Sequence, residues 1–309
     1  MLNKMMGSPN KPDALRRRLL AAMLVAPWFS PFSTHAAAVD SQRIVALEWL
    51  PVELLMALGV MPMGVADIHN YRLWVQAPAL PASVVDVGLR TEPNLELLAR
   101  LNPSLLLYST GYGPAAEQLE RIAPSLGFAF SDGNGKPLQV ARQSLTTLAE
   151  RLEMNAAAER HLTAFDQFMA EARVRLQPYT RRPLLLFSVL DERHVLVVGK
   201  NSLFQDVLDQ LGIENAWQGS TNFWGSTVIG MEQLASVGHA NAICFEHGND
   251  GLMSRVSANP VWQSLPFVRD QRWQRAEAVW LYGATLSAMR FCRLLDGAME
   301  RLTWPWRMP

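Results

Sequence analysis

The chain has 309 residues, 49% of them apolar and only 18% charged, with 28 basic and 28 acidic side chains. That length exceeds one comfortable core and predicts two lobes of roughly 100 to 150 residues each. The charges are scattered without long runs, which excludes a disordered chain, a charged tail and the basic footprint of a nucleic-acid binder.

The first 36 residues read as a cleaved export signal: Lys4, Lys11 and Arg16-Arg17-Arg18 precede an apolar stretch from Leu19 to Phe32, followed by Thr34-His35-Ala36-Ala37-Ala38. Pro27 and Pro31 interrupt that stretch, which falls short of the ~20 apolar residues of a spanning helix. Cleavage is expected after Ala36 or Ala38, and the arginine run resembles a twin-arginine signal that lacks its usual preceding polar residue. Removing residues 1–36 takes away five basic residues and one acid, leaving 23 against 27. The mature chain is then mildly acidic, and no cysteine stands where a lipid anchor would be attached, so a soluble periplasmic product is expected.

From Arg43 onward short apolar runs alternate with amphipathic ones. Strands are predicted at Ile44 to Leu47, Gly64 to Ala66, Val84 to Val87 and Leu105 to Tyr108, with helices at Pro51 to Leu58, Asn94 to Leu101 and Pro114 to Ile122. Two long helical segments follow, Pro137 to Glu153 and Ala156 to Leu176, the second free of Gly and Pro. At about 30 Å a helix of this length suits a stiff strut between lobes. Alternation resumes with strands at Leu184 to Val189, His194 to Val198 and Ala242 to Phe245, and helices at Ser202 to Leu211 and Ala284 to Leu302. The reading is two α/β lobes, 37–155 and 178–309, joined by a linking helix at 156–177, with a ligand cleft between them that opens little. Cys244 and Cys292 fall in strand-like and helix-like runs and are expected as buried free thiols.

Common catalytic signatures are missing. The six histidines are dispersed, no Cys-x-x-Cys occurs, and the phosphate-loop, nucleophile-elbow and dinucleotide fingerprints are absent, so no metal site, catalytic residue or cofactor is expected. His247 beside Glu246 and Asp250 reads as a solvated strand end. Runs that hold aromatic residues, glycines or both stand out instead: Tyr71 to Trp74, Gly88 to Thr91, Gly111-Tyr112-Gly113, Asn222 to Ser226 and Trp280 to Gly283. Glycine lets the backbone turn and present a ring outward. Most of these runs sit near strand ends, where open α/β sheets bind ligands. Arg90 is the polar anchor, a rigid fork of donors, with an ion pair to Glu92 as the alternative and Arg72 as a weaker candidate. Trp49 and Trp262 follow the apolar periodicity of a core, and Trp304 and Trp306 read as tail packing. An aromatic cleft with one guanidinium suits a bulky, mostly apolar ligand carrying one cluster of partly negative oxygens, as ferric trihydroxamates do.

The blocks Arg43 to Trp49, Asp86 to Asn94, Asn215 to Gly219 and Ala278 to Met289 closely resemble the periplasmic ferrichrome-binding proteins of enterobacteria, a likeness spanning about Ala38 to Gly297. The resemblance implies two α/β lobes on one long helix and a monomeric, non-enzymatic receptor. Such a receptor hands iron(III) hydroxamate siderophores to an inner-membrane ABC permease with its cytoplasmic ATPase. It also implies that Arg90 and Tyr112 meet the iron-ligating oxygens, that Trp74, Tyr108, Trp217, Asn222, Trp224, Ser226, Trp280 and Tyr282 line the site, and that Glu117 and Glu232 dock the permease. The protein is not expected to ligate the iron. The alternatives are a receptor of the same fold for haem or cobalamin and, on the export signal alone, an exported cofactor-bearing oxidoreductase.

Overall fold

The computed structural model describes residues 39–303; the predicted export segment and the tail residues Trp304 and Trp306 lie outside the described residues. The first lobe interleaves β1 (Ile44–Ala46), α1 (Trp49–Ala57), β2 (Gly64–Val65), α2 (Ile68–Trp74), β3 (Val85–Asp86), α3 (Leu95–Leu101), β4 (Leu105–Ser109), α4 (Ala116–Leu119) and β5 (Ser125–Phe128). Its sheet runs β3-β2-β1-β4-β5 with every pair parallel. Strand order therefore reverses between β1 and β4, the position at which such sheets open a crevice.

Helices α5 (Pro137–Arg151) and α6 (Asn155–Leu176) lead to the second lobe. It contains β6 (Leu184–Val189), β7 (His194–Val198), α7 (Leu203–Leu211), β8 (Ser226–Gly230), β9 (Asn241–Phe245), α8 (Asp250–Ser257), α9 (Pro260–Ser264), α10 (Pro266–Arg269), β10 (Trp273–Ala276) and α11 (Thr285–Thr303). The order here is β10-β9-β6-β7-β8, with β7 antiparallel to both neighbours. Local chemistry sets the boundaries. Asn94 accepts from Leu97 N–H (2.9 Å) to start α3, and Ser202 accepts from Gln205 N–H (2.9 Å) to start α7, which ends on Gly212 at φ 74°.

Side chains alternate across a strand, and here the alternation sorts residues into different cores. Ile44, Leu105 and Leu107 of the first sheet and Leu184, Leu186 and Ile243 of the second belong to one continuous cluster that also takes in α1, α5, α6, α7 and α11. Their neighbours point the other way: Val45, Leu47 and Leu106 into an outer cluster of the first lobe, Leu185, Phe187 and Cys244 into that of the second. Cys244 and Cys292 are buried free thiols, whose burial pushes both up to about 12. The last helix, assigned by sequence to the second lobe, also packs on α1 of the first. The lobes thus share a core as well as a linking helix. Closing the cleft would shear close-packed apolar side chains, which resist continuous deformation. Ligand binding is accordingly expected to leave the radius of gyration almost unchanged in small-angle scattering, and a drop typical of hinged two-lobe receptors would contradict this.

Candidate functional site

The loops leaving β1, β2, β3 and β4 bring four polar residues to the crevice: Glu48, Asp67, Arg90 and the strand-end Ser109. Arg90 Nη1 donates to Glu48 Oε1 (2.8 Å), and Ser109 Oγ donates to Glu48 Oε2 (3.0 Å), which also accepts from Leu50 N–H (2.7 Å) at the start of α1. Arg90 Nε lies 3.7 Å from Asp67 Oδ2 and makes no hydrogen bond. The guanidinium sits over the Trp49 ring at 3.6 Å and 5.3 Å from the rings of Tyr112 and Trp280, a cation caged by three π faces. The ion pair with Glu92 considered from sequence does not form: residues 88–93 make a tight turn, and the guanidinium points inward to Glu48.

Glu48, Arg90, Ser109, Tyr112, Trp224, Trp280 and Tyr282 line a cleft of about 260 Å³. A second hollow of about 320 Å³ shares Arg90, Trp280 and Tyr282 and adds Trp49, Asn70, Trp74 and Leu196. Tyr112 is presented by Gly111 and Gly113, both left-handed (φ 78° and 83°); a Cβ on Gly113 would come within 2.7 Å of the Arg90 carbonyl. Tyr282 is ringed by Trp280 (5.0 Å), Phe130 (5.4 Å) and Trp224 (5.4 Å), a cluster drawn from both lobes.

Six of the residues singled out by sequence, Arg90, Tyr112, Trp74, Trp224, Trp280 and Tyr282, therefore meet at these two hollows. Four stand elsewhere. Tyr108 lies one residue out of phase with Ser109 on β4, so it joins the outer cluster with its ring over Gly127. Trp217 packs on the outer core of the second lobe, close against Gly199 and Gly219. Asn222 and Ser226 act through Trp224: Asn222 Oδ1 accepts from Trp224 N–H (2.9 Å) and Ser226 N–H (3.1 Å), closing the turn that holds the indole. That turn enters β8 rather than leaving a strand. Tyr71 is interior, donating to the Pro78 carbonyl (2.6 Å), and Arg72 is exposed on α2. Sequence reasoning missed Glu48, Ser109 and Phe130, and left Trp49 wholly to the core. Glu117 and Glu232 are exposed, in the first turns of α4 and of the 3-10 helix Met231–Val237. Among the described residues no group of three or more His, Cys, Asp or Glu side chains could hold a metal ion, and no helix is long and apolar enough to cross a membrane.

His247, after β9, reaches back across the cleft. Its ring stacks on Trp74 of the first lobe (3.8 Å, 22°), and Nε2 is 2.9 Å from Ser188 Oγ. Burial pushes the imidazole down to about 4. Between pH 6.5 and 4 the unfolded chain therefore binds a proton that the folded chain refuses, and stability falls as pH drops through that window by up to about 3 kcal/mol. His247→Phe keeps an aromatic face and removes the titration. Its urea midpoint should decline less between pH 6.5 and 4 than that of the wild type; identical slopes would refute the assignment.

These features define a two-lobed α/β binding protein with an aromatic cleft and a caged guanidinium between its lobes. The chain belongs to the periplasmic binding protein family, whose model matches residues 44–274. It is 56% identical over 289 residues to the iron(3+)-hydroxamate-binding protein FhuD of Escherichia coli, covering 93% of this chain and 97% of that one. Similarity to the Fe(3+) dicitrate-binding periplasmic protein FecB of the same organism is lower, 28% over 236 residues and 75% of each chain. Among solved structures, the Fe3+–Desferal-bound siderophore-binding protein FhuD of Vibrio cholerae superposes with a TM-score of 0.79 at 28% identity, covering 85% of this chain and 99% of that one.

Proposed function

We propose that this chain is the periplasmic receptor for iron(III) hydroxamate siderophores of the ferrichrome type and delivers them to an inner-membrane ABC permease with its cytoplasmic ATPase. The observation that carries the reading is the convergence of one caged guanidinium and two tyrosines on an aromatic cleft shared by two lobes. A ferric trihydroxamate is neutral, presents a compact face of iron-ligating oxygens and is otherwise organic. Arg90 spends one of its five N–H donors on Glu48, so donors remain for those oxygens, together with the hydroxyls of Tyr112 and Tyr282. Trp224, Trp280 and Trp74 contact the organic shell. The iron arrives already ligated, so the protein recognises the coat and performs no chemistry on its cargo. Residues 1–36 would direct export, by the twin-arginine route or otherwise, and the mature receptor would act as a monomer.

The test is a titration of intrinsic tryptophan fluorescence. Ferrichrome should quench saturably at near-stoichiometric ratios, because four indoles, those of Trp49, Trp74, Trp224 and Trp280, line the two hollows. Haem, cobalamin and ferric citrate should not compete at similar concentrations. Saturable binding of one of those, with none of any ferric trihydroxamate, would overturn the reading.

A further inference from the structure

Glu53 takes no part in the cleft, yet it is fully buried. It stands on α1 one turn after Trp49, so both side chains leave the same face of the helix. Trp49 packs edge-on against Trp280, with ring centroids 4.6 Å apart. Glu53 Oε2 accepts from the backbone N–H groups of Ala284 (2.9 Å) and Ser287 (3.0 Å), while Oε1 is bonded to Ser287 Oγ. Ala284 caps α11, its carbonyl receiving Ala288 N–H (3.0 Å).

A helix leaves its first N–H groups unpaired and partly positive, and buried donors of this kind require an acceptor. Here the first lobe supplies it, from 231 residues away in sequence. Gly283 makes the approach possible, because a Cβ there would run into Glu53 Oε1 and Ser287 Oγ. His161 of α6 adds a third attachment, its Nε2 2.7 Å from Thr285 Oγ1. Tyr282 lies between the Trp49 grip and the Glu53 grip, so the segment that carries it is held to the first lobe on both sides.

The geometry points to Glu53 as a positioning residue that fixes the 280–287 segment against the first lobe and so places Tyr282 and sets the width of the ligand cleft, without touching the ligand. The inference rests on the ferric hydroxamate reading for its affinity measurement only.

Burial, opposed by the Ser287 and Ala284 bonds and reinforced by the charge of Glu48, pushes the Glu53 carboxyl up to about 7. Tyr71, which interacts with both Glu53 and Arg290, and His161 are the other titratable groups around this junction. Both protonation states satisfy the donors. The carboxylate accepts three hydrogen bonds; the acid still accepts two N–H bonds at Oε2 and can donate from Oε1 to Ser287 Oγ. Acceptance at Oε2 is therefore the requirement, and charge is not.

That distinction sets the experiment. Glu53→Gln keeps a carbonyl acceptor, whereas Glu53→Leu keeps the volume and loses it. Ferrichrome affinity should stay within about threefold of wild type in Glu53→Gln and fall by about tenfold or more in Glu53→Leu, the scale of two lost backbone hydrogen bonds. Tyr282→Phe should cost less on the Glu53→Leu background than alone, since an unplaced hydroxyl has less to lose. Hydrogen exchange on the ligand-free proteins should show the amides of Ala284 and Ser287 protected in wild type and Glu53→Gln and exposed in Glu53→Leu. Unchanged protection and affinity in Glu53→Leu, equal losses in both variants, or full additivity with Tyr282→Phe would overturn the assignment. If Glu53→Leu does not fold, Gly283→Ala, whose Cβ would push the carboxyl away from the α11 N–H groups, should give the same pattern at smaller amplitude, and a wild-type pattern there would overturn it. Should the wild type bind no ferric trihydroxamate, the receptor reading falls and the exchange result still decides the role of Glu53.

Discussion

Replacing Arg90 with alanine is expected to weaken ferric hydroxamate binding by about 1.5 to 3 kcal/mol, a factor of roughly 10 to 100, and to destabilise the fold as well. From sequence, Arg90 reads as a polar anchor for the ligand alone. The structure revises that view, because Arg90 is the cation facing Glu48, whose side chain is only 7% exposed, and it lies beside Asp67 as well. Removing one partner of a largely buried pair strands the other, at a cost on the order of 3 kcal/mol. The two effects separate in a double variant. Arg90→Ala with Glu48→Gln removes the stranded charge and should recover most of the urea midpoint, while affinity stays low because the N–H donors that Arg90 offers the ligand are still missing. Recovery of both together would mean that Arg90 acts only by holding Glu48. Arg90→Lys should fall between, since an ammonium lacks the planar fork that can reach a carboxylate and a hydroxamate oxygen at once.

The parts of the fold legible in the sequence are those with continuous apolar signal. Strands β1, β4, β6, β7 and β9 announce themselves because most of their residues are buried, and Asn94, Ser202 and Gly212 mark helix ends through their own capping chemistry. The strands missed, β5, β8 and β10, are all sheet edges. An edge strand is only half covered, so Trp273-Gln274-Arg275-Ala276 carries no apolar run to detect. Helices α9 and α10 escape for another reason: each is a turn or so long, begins at a proline and offers too few residues for a 3.6-residue period to register.

At the site, rings beside glycines were legible because the glycine betrays the turn. Tyr108 was not, since its direction depends on the phase of β4. Glu48 and Glu53 were legible in principle. Two acids embedded in Leu47-Glu48-Trp49-Leu50-Pro51-Val52-Glu53-Leu54-Leu55 must be buried with that helix, and a buried carboxylate demands donors. One found Arg90; the other found α11.

Removing Glu117 and Glu232 together should abolish siderophore-dependent uptake while leaving ligand affinity and stability at wild-type values. Each carboxylate is exposed, one on each lobe, and among the described residues neither has an ion-pair or hydrogen-bond partner. Substituting such residues changes stability by no more than about 0.5 kcal/mol. Both lie outside the walls of the cleft, so the bound ligand has no contact to lose. What two acids on separate lobes can do is meet two cationic sites on a permease at once, which fixes orientation as well as attraction. Because the shared core holds the lobes at a set separation, the second contact forms at high effective concentration once the first is made. Either single variant should therefore keep partial uptake and the double variant essentially none, with the residual uptake of each single variant more sensitive to salt than that of the wild type. Growth of the Glu117→Ala, Glu232→Ala strain on ferrichrome as sole iron source, at the wild-type rate, would remove both acids from the docking surface.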